Sequence, residues 1–243
     1  MFAVISDVHG NLEALERVLE DIKEKGISDI FFLGDAVGYG PNPKEVLEIL
    51  KGTCKVLIAG NHDRAVVEPG LDPYFNEIAR EALVWTRDIL DERGKRLLKA
   101  LPLYYSLQYD DIDILFVHAT PRYPEEWNYL MTLRDAELNF YYFKERLCFI
   151  GHSHSPFIVE KSKEGELTVR KERPCFLRDT SRYIINAGSV GQPRDGDPRA
   201  CYVIFNGKEI EFIRLQYNIG LTQKKMKEAG LPLPLIERLD KGV

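Results

Sequence analysis

Cysteine is scarce in this chain, and no two cysteines have the Cys-x-x-Cys spacing of a thiolate metal or redox site. The four are Cys54, Cys148, Cys175 and Cys201. In a chain of 243 residues this irregular spacing is typical of reduced thiols in a protein core. The pattern argues against a disulfide scaffold, and we expect a cytoplasmic protein.

Long hydrophobic runs and an excess of positive charge are also lacking. No apolar stretch approaches the roughly 20 residues of a membrane helix, and the opening residues show no signal-peptide pattern. The formal net charge is −5, whereas proteins that grip the nucleic-acid backbone are usually basic. We therefore expect no membrane association, no stable nucleic-acid binding and a small-molecule partner. The sequence leaves the oligomeric state open.

Apolar, β-branched runs alternate with amphipathic stretches at the start of the chain. They predict strands at 2–6, 30–33 and 56–59, separated by helices at 11–25 and 43–51. This βαβαβ order implies parallel strands with right-handed crossovers.

The pattern of apolar and polar residues changes in the later part of the chain. Residues 73–101 and 132–146 are helical in pattern, whereas short runs between 157 and 217, with an Asn206-Gly207 turn, predict antiparallel sheet. We expect one domain over residues 1–243, an α/β fold with four layers. It is an α/β/β/α sandwich of two mixed β-sheets flanked by helices, with 73–101 as a candidate cap and 221–243 as a C-terminal helical tail.

Histidine is rare too, and its placement is not random. The five histidines each lie within four residues of a predicted strand end, close to Asp, Asn or a small residue: His9, His62, His118, His152 and His154. In open α/β sheets, sites form outside the carboxyl ends of the strands. Small neighbouring residues let the backbone turn sharply and let ligands approach closely.

Each of these residues or short motifs, taken alone, has an ordinary structural explanation. Asp7 could cap a helix, Gly34-Asp35 could be a turn, and a lone His118 is more often a core histidine than a ligand. Their conjunction predicts a metal site. Imidazoles, carboxylates and one amide oxygen, without thiolate, suit Mn²⁺, Fe, Ni²⁺, Mg²⁺ or catalytic Zn²⁺. Seven ligands exceed the need of one ion, so two ions that share a carboxylate fit better.

The order of these motifs resembles the calcineurin-like metallophosphoesterase superfamily. The matching segments are Asp7-x-His9, Gly34-Asp35, Gly60-Asn61-His62-Asp63, His118 and Gly151-His152-Ser153-His154. Two longer stretches, 34–43 and 186–199, are similar to its small prokaryotic phosphodiesterase branch, often labelled diadenosine-tetraphosphatase-related. The likeness spans most of the chain.

This resemblance implies a role for each matching residue. Two divalent metal ions are expected, Mn²⁺ first among the candidates. The first ion would be held by Asp7, His9 and His154, the second by Asn61, His118 and His152, and both by Asp35. His62 would face the substrate and protonate the leaving oxygen, with Asp63 orienting its ring.

The expected activity is hydrolysis of a phosphate ester by a hydroxide that bridges the two ions. No cluster of basic residues is visible that could neutralise a terminal dianion, which favours a phosphodiester. A phosphomonoester and a dinucleotide polyphosphate are the alternatives. Gly38 and Tyr39 stand where the protein serine/threonine phosphatase branch has Asp-Arg, and Asp63 stands where it has Glu. Phosphoprotein phosphatase activity is therefore not expected, and the missing arginine argues against symmetrical tetraphosphate cleavage.

Four further residues are candidates for contact with the substrate. They are Arg122, Arg64, Tyr39 and Arg194. Arg64 could instead be solvated, and Arg194 could pair with Asp195 or Asp197. Two competing functions remain: a non-catalytic scaffold on the same fold, and a nuclease, which would need a basic groove or an added nucleic-acid module.

Overall fold

The computed structural model describes all of residues 1–243. Strands and helices alternate along the chain, with short 3-10 helices at Pro69–Tyr74 and Pro124–Glu126. The strands are β1 (Phe2–Ile5), β2 (Ile30–Phe32), β3 (Val56–Leu57), β4 (Tyr104–Tyr109), β5 (Ile112–Val117), β6 (Leu147–Ile150), β7 (Phe157–Lys161), β8 (Leu167–Arg170), β9 (Cys175–Phe176), β10 (Arg182–Asn186), β11 (Ala200–Phe205) and β12 (Glu209–Leu215). The α-helices are α1 (Leu12–Glu24), α2 (Pro43–Thr53), α3 (Asn61–Val67), α4 (Glu77–Ile89), α5 (Glu92–Ala100), α6 (Leu133–Asn139), α7 (Ile219–Glu228) and α8 (Leu233–Glu237).

The strands form two mixed sheets of six strands each. The first has the order β3-β2-β1-β11-β12-β9, and the second β4-β5-β6-β10-β7-β8. Strands β1 to β3 are parallel in the first sheet, and β5, β6 and β10 are parallel in the second. Each sheet therefore presents three parallel carboxyl ends. The sequence predicted parallel strands only in the early half of the chain.

The central strands of both sheets are buried on both faces. Along β1, Phe2 and Val4 point between the sheets, while Ala3 and Ile5 point toward the helices. The rings of Phe31 and Phe116 stack across the gap between the sheets at 4.6 Å. Helix α6 and the segment after it cover the outer face of the second sheet. This arrangement confirms the predicted four-layer sandwich.

One predicted helical stretch is divided in two, and one predicted helix ends early. The stretch 73–101 divides at Asp91, whose carboxylate accepts a hydrogen bond from Gly94 N at 2.8 Å and caps α5. The predicted helix 132–146 stops at Asn139. The next carbonyl groups accept hydrogen bonds from the guanidinium of Arg182 instead of continuing the helix, including that of Phe140 at 3.1 Å.

The C-terminal tail docks on its own chain. Thr222 Oγ1 donates to Glu13 Oε2 at 2.8 Å. Further along, Leu235, Ile236 and Leu239 pack in a cluster that includes Tyr39. No helix is both long enough and apolar enough to cross a membrane.

Candidate metal centre

The loop after β1 and the loop after β6 bring together the first predicted group of ligands. Asp7 Oδ1 lies 3.2 Å from His154 Nε2, and His9 Nε2 lies 3.1 Å from the same nitrogen. His9 Nε2 is also 3.6 Å from Asp35 Oδ2, which follows β2. Asp7, His9 and His154 form one group of potential ligand atoms, and every member is buried.

The second predicted group forms on the other side of Asp35. His118, at the end of β5, has its Nε2 3.4 Å from Asp35 Oδ2 and 3.2 Å from Asn61 Oδ1. His152 completes a group with Asp35 and His118. Asp35 therefore lies between both groups, as a bridging carboxylate must. Its Oδ1 accepts a hydrogen bond from His62 N at 2.9 Å, which leaves Oδ2 directed at the histidines.

Most of these residues have a left-handed backbone, which the sequence did not reveal. Positive φ values between 51° and 63° occur at Asp7, His9, Asp35, His152 and His154. Residues with a Cβ rarely adopt this conformation, which costs about 1–2 kcal/mol each and clusters at functional sites. The sandwich packing holds these strained turns in place.

Two glycines permit the close approach of the loops. A Cβ on Gly60 would lie 2.0 Å from Asp35 Oδ1, and one on Gly151 would lie 2.5 Å from Asp7 Oδ2. Both distances are far shorter than any real contact. The expectation that small neighbours let the ligands converge is confirmed at these positions.

Backbone carbonyl groups fix the orientation of three imidazoles. The Nδ1 atoms of His9, His118 and His154 lie 3.1, 2.8 and 2.6 Å from the carbonyl oxygens of Val37, Leu33 and Gln192. When Nδ1 donates a proton to a carbonyl oxygen, Nε2 is left as the free lone pair. This is the usual outer support of a metal-binding histidine.

The charges of the cluster fit bound cations. Asp7 and Asp35 are buried, and no lysine or arginine pairs with either. Burial opposes their ionisation, but the neighbouring histidines outweigh it and lower the pKa of both carboxyls. Two buried carboxylates of this kind need a positive partner.

Two buried atoms without hydrogen-bond partners and the raised pKa of His118 also fit a bound cation. Asp7 Oδ1 and His152 Nε2 are buried without any hydrogen-bond partner. Burial alone would lower the pKa of His118, but the charge of Asp35 raises it to about 9. The cluster thus favours a positive charge at His118 Nε2, and a metal ion replaces a proton at such an atom. The residues present fit divalent cations.

His62 lies in a pocket wall and also groups with His9 and Asp35, but Asp63 does not play the predicted part. The ring of His62 is 4.8 Å from that of His9 and forms part of a pocket wall. Its Nδ1 is buried with no acceptor. The carboxylate of Asp63 instead accepts four backbone N–H groups, from Asp35, Ala36, Val37 and Gly60. The prediction that Asp63 orients the His62 ring is therefore wrong.

Two of the predicted substrate contacts lie away from the pocket and have other partners. The guanidinium of Arg64 donates to the carbonyl oxygens of Lys99 (3.1 Å) and Leu101 (2.7 Å), and so ties α3 to the end of α5. That of Arg122 lies over the rings of Tyr123 and Tyr142. Neither arginine lines the pocket beside the histidines.

The other two predicted contacts lie at the site. Tyr39 has its ring centroid 4.5 Å from that of His9 and 4.4 Å from that of His62. Arg194 Nη2 lies 3.4 Å from Tyr39 Oη. The alternative pairing of Arg194 does not occur, because Asp195 pairs with Arg214 and Asp197 with Arg199.

A pocket of about 460 Å³ opens beside Asn61, His62 and His152. The start of the predicted cap segment forms one part of its wall, and the loop after β5 forms another. Its aromatic lining residues are Tyr39, Tyr74, Phe75, Trp127 and Tyr129. Apart from Tyr39, sequence reasoning missed this aromatic wall, because the other contributing residues follow no motif. It also missed Arg238, from the tail, whose guanidinium lies 4.6 Å from the centre of the Tyr39 ring.

Comparison with known proteins agrees with this geometry. Residues 1–209 match the calcineurin-like phosphoesterase superfamily domain, so the chain belongs to that superfamily. It is 40% identical to a metallophosphoesterase from Sphaerobacter thermophilus, whose crystal structure aligns over 100% of this chain and 98% of that one with a TM-score of 0.84. A hypothetical protein of Pyrococcus horikoshii has the same fold, with a TM-score of 0.81 at 22% identity over 100% of this chain and 98% of the other.

Two sequence relatives extend the comparison. An uncharacterized protein of Methanocaldococcus jannaschii is 42% identical over 100% of this chain and 98% of its own length. A symmetrical bis(5'-nucleosyl)-tetraphosphatase of Coxiella burnetii is 33% identical, over 55% of this chain and 46% of that enzyme. The second match spans less than half of the relative.

Proposed function

We propose that this protein is a dinuclear, metal-dependent hydrolase of phosphodiesters. The observation that carries the proposal is the convergence of five buried Asp and His side chains and the partly exposed Asn61 around the shared carboxylate of Asp35, with Asp7 Oδ1 and His152 Nε2 lacking any hydrogen-bond partner. Asp7, His9 and His154 would hold one ion, Asn61, His118 and His152 the other, and Asp35 both. When bound, such an ion pair acidifies water and neutralises charge on a phosphate ester. Mn²⁺ is the first candidate for this mixed oxygen and nitrogen ligand set.

The chain's own residues would hold the ester and move one proton. His62, in the wall of the pocket, is placed to exchange a proton with the leaving oxygen as the phosphorus–oxygen bond breaks. Burial lowers the pKa of His62 to about 4. An anionic ester beside the ring would favour its protonated form, so substrate binding would prepare the acid.

The surroundings of the ligand cluster favour a diester over a monoester. No lysine or arginine contacts Asp7 or Asp35, so apart from bound ions no cation in contact with these carboxylates is available for the second negative charge of a monoester. The pocket is also far larger than a phosphate group. Its aromatic wall suits an organic group with a flat, apolar face.

The experiment is hydrolysis of bis-p-nitrophenyl phosphate and p-nitrophenyl phosphate, each with Mn²⁺, Ni²⁺, Mg²⁺ or chelator. We expect the diester to be the better substrate, chelator to abolish the activity and a transition metal to restore it. Asp35→Asn should lower kcat/KM by more than the roughly 10–100-fold typical of outer supporting residues.

Asp29→Asn is the matched control, because Asp29 precedes the same strand at its opposite end and pairs with Lys55 on the surface. It should leave the activity unchanged. A metal-loaded protein that hydrolyses neither ester would contradict the proposal and favour a non-catalytic scaffold.

A further inference from the structure

Two arginines from distant parts of the chain meet beside the candidate centre. Arg194 and Arg238 both donate from Nη2 to Gln192 Oε1, at 3.0 and 2.6 Å. Both guanidiniums also lie over the ring of Tyr39, at 5.8 and 4.6 Å from its centroid. Arg194 comes from the loop after β10, and Arg238 from the end of α8.

The two positive charges have no negative partner. Neither guanidinium makes an ion pair, because the carboxylates nearest to Arg194 in sequence are engaged by Arg214 and Arg199. The Nε atom of each is buried without an acceptor. Two like charges held around one neutral amide oxygen repel each other, and an anion between them would remove this cost.

The tail holds this arrangement in place. The N–H of Gly196 donates to the carbonyl oxygen of Gly242 at 2.9 Å, two residues beyond Arg194 in the same loop. Gly242 has a φ of +66°, and a Cβ there would lie 2.8 Å from the backbone of Asp197. The end of the chain is therefore fitted against the loop that carries Arg194, so both arginines are positioned before any ligand binds.

The position of the pair relative to the histidines defines what it could bind. The Tyr39 ring that both guanidiniums contact is the same ring that packs on His9 and His62. The pair therefore borders the same tyrosine ring as the ligand cluster. An anionic group a few bonds from a phosphate at the cluster could therefore reach the guanidiniums.

We propose that Arg194 and Arg238 form a subsite for a second phosphate group of the substrate, to which the C-terminal tail contributes one of the two cations. The inference rests on the proposed function, because it assumes that the reacting phosphate binds at the metal centre. The substrate class is then an organic phosphodiester that carries another phosphate several bonds from the reacting one. Planar guanidinium groups are the usual ligands for such a group.

Phosphonates that cannot be hydrolysed test the subsite. Binding of methylphosphonate and of alkylene bisphosphonates with two to five methylene groups is measured calorimetrically on the full-length, Mn²⁺-loaded protein. The same compounds are tested as inhibitors of diester hydrolysis. We expect one linker length to bind about 10–100-fold more tightly than methylphosphonate, as one or two charge-assisted hydrogen bonds provide.

The variants are Arg238→Gln and Arg194→Gln, with Lys241→Gln as the matched control on the same tail. Each arginine variant should lose about tenfold or more of the gain from the second phosphonate, and the control should retain it. Thermal melting identifies any variant that fails to fold, and the other then decides.

The inference is overturned if no bisphosphonate binds more tightly than methylphosphonate, or if the gain survives in both arginine variants. A gain seen by calorimetry without any diester hydrolysis would uphold the subsite and refute the proposed activity.

Discussion

Asp63→Asn tests how the loops that carry the predicted metal ligands are held in place. Asp63 is fully buried in the first turn of α3 and faces the loop that carries Asp35. The change replaces one carboxylate oxygen by an NH₂ group of almost the same size. Any loss of stability therefore reflects hydrogen bonding and charge, not packing.

The magnitude follows from the four N–H groups that Asp63 accepts. One oxygen binds Asp35 N (2.8 Å) and Gly60 N (3.0 Å), and the other binds Ala36 N (3.0 Å) and Val37 N (3.3 Å). An asparagine oxygen can satisfy only one pair and leaves two buried N–H groups facing an NH₂. Each unsatisfied group costs about 1–3 kcal/mol, so the free energy of unfolding should fall by about 2–6 kcal/mol.

The protonation of Asp63 decides the pH of the measurement. Burial and the charge of Asp35 raise the pKa of Asp63 to about 7, whereas four N–H donors require the ionised form. A proton on either oxygen would face an N–H group, so we take the carboxylate as ionised. At about pH 8 the carboxylate of Asp63 is ionised, so chemical denaturation is best measured there. Mn²⁺ affinity should also fall by about 10–100-fold, because Asp63 supports the loop of Asp35.

Asp135→Asn is the matched control. Asp135, in the first turn of α6, also accepts backbone N–H groups, from Met131 and Thr132, but it is partly exposed and far from the cluster in sequence. Water can replace its hydrogen bonds, so the expected loss is about 1 kcal/mol or less. If Asp63→Asn costs no more than this control and leaves metal affinity unchanged, the reasoning about the loops is refuted.

Three further predictions concern turnover, acid stability and metal removal. His62→Ala should keep its bound metal, measured by elemental analysis, yet lower kcat by about 10²–10⁴-fold; unchanged turnover would exclude the proposed proton transfer. Burial opposes ionisation of Glu160, but Ser181 and Arg170 lower its pKa. Its stabilising effect is therefore present above pH 4.5 and is lost as the pH falls through the lowered pKa, so Glu160→Gln should cost about 1–3 kcal/mol at pH 7 and progressively less as the pH falls below 4.5 in denaturation curves. The melting temperature should rise with Mn²⁺ concentration and fall with chelator, and no dependence on Mn²⁺ would argue against a metal site.

The sequence was sufficient to predict that the candidate ligands converge, because each of them lies at or shortly after a strand end. Asp7, Asp35 and His118 each follow a strand of a parallel group, and parallel strands bring their carboxyl ends to one edge. The continuous apolar run of β1 likewise predicted a buried strand. Local pattern and global fold agree at these positions.

The role of Asp63 and the arginine pair could not be predicted, for different physical reasons. Asp63 lies next to His62 in sequence, but the helix that begins at Asn61 points the two side chains toward different partners. Arg194 and Arg238 meet only because the tail folds back over Tyr39. No periodicity or motif encodes a contact between segments so far apart in sequence.

The most direct test of the account is a crystal structure of the Mn²⁺-loaded protein with anomalous scattering data. The account predicts two manganese peaks about 3.5–4 Å apart. They should be bridged by Asp35 and bound by Asp7, His9, Asn61, His118, His152 and His154, with the ring of His62 free. A single peak, or one bound by His62, which also groups with His9 and Asp35, would contradict it.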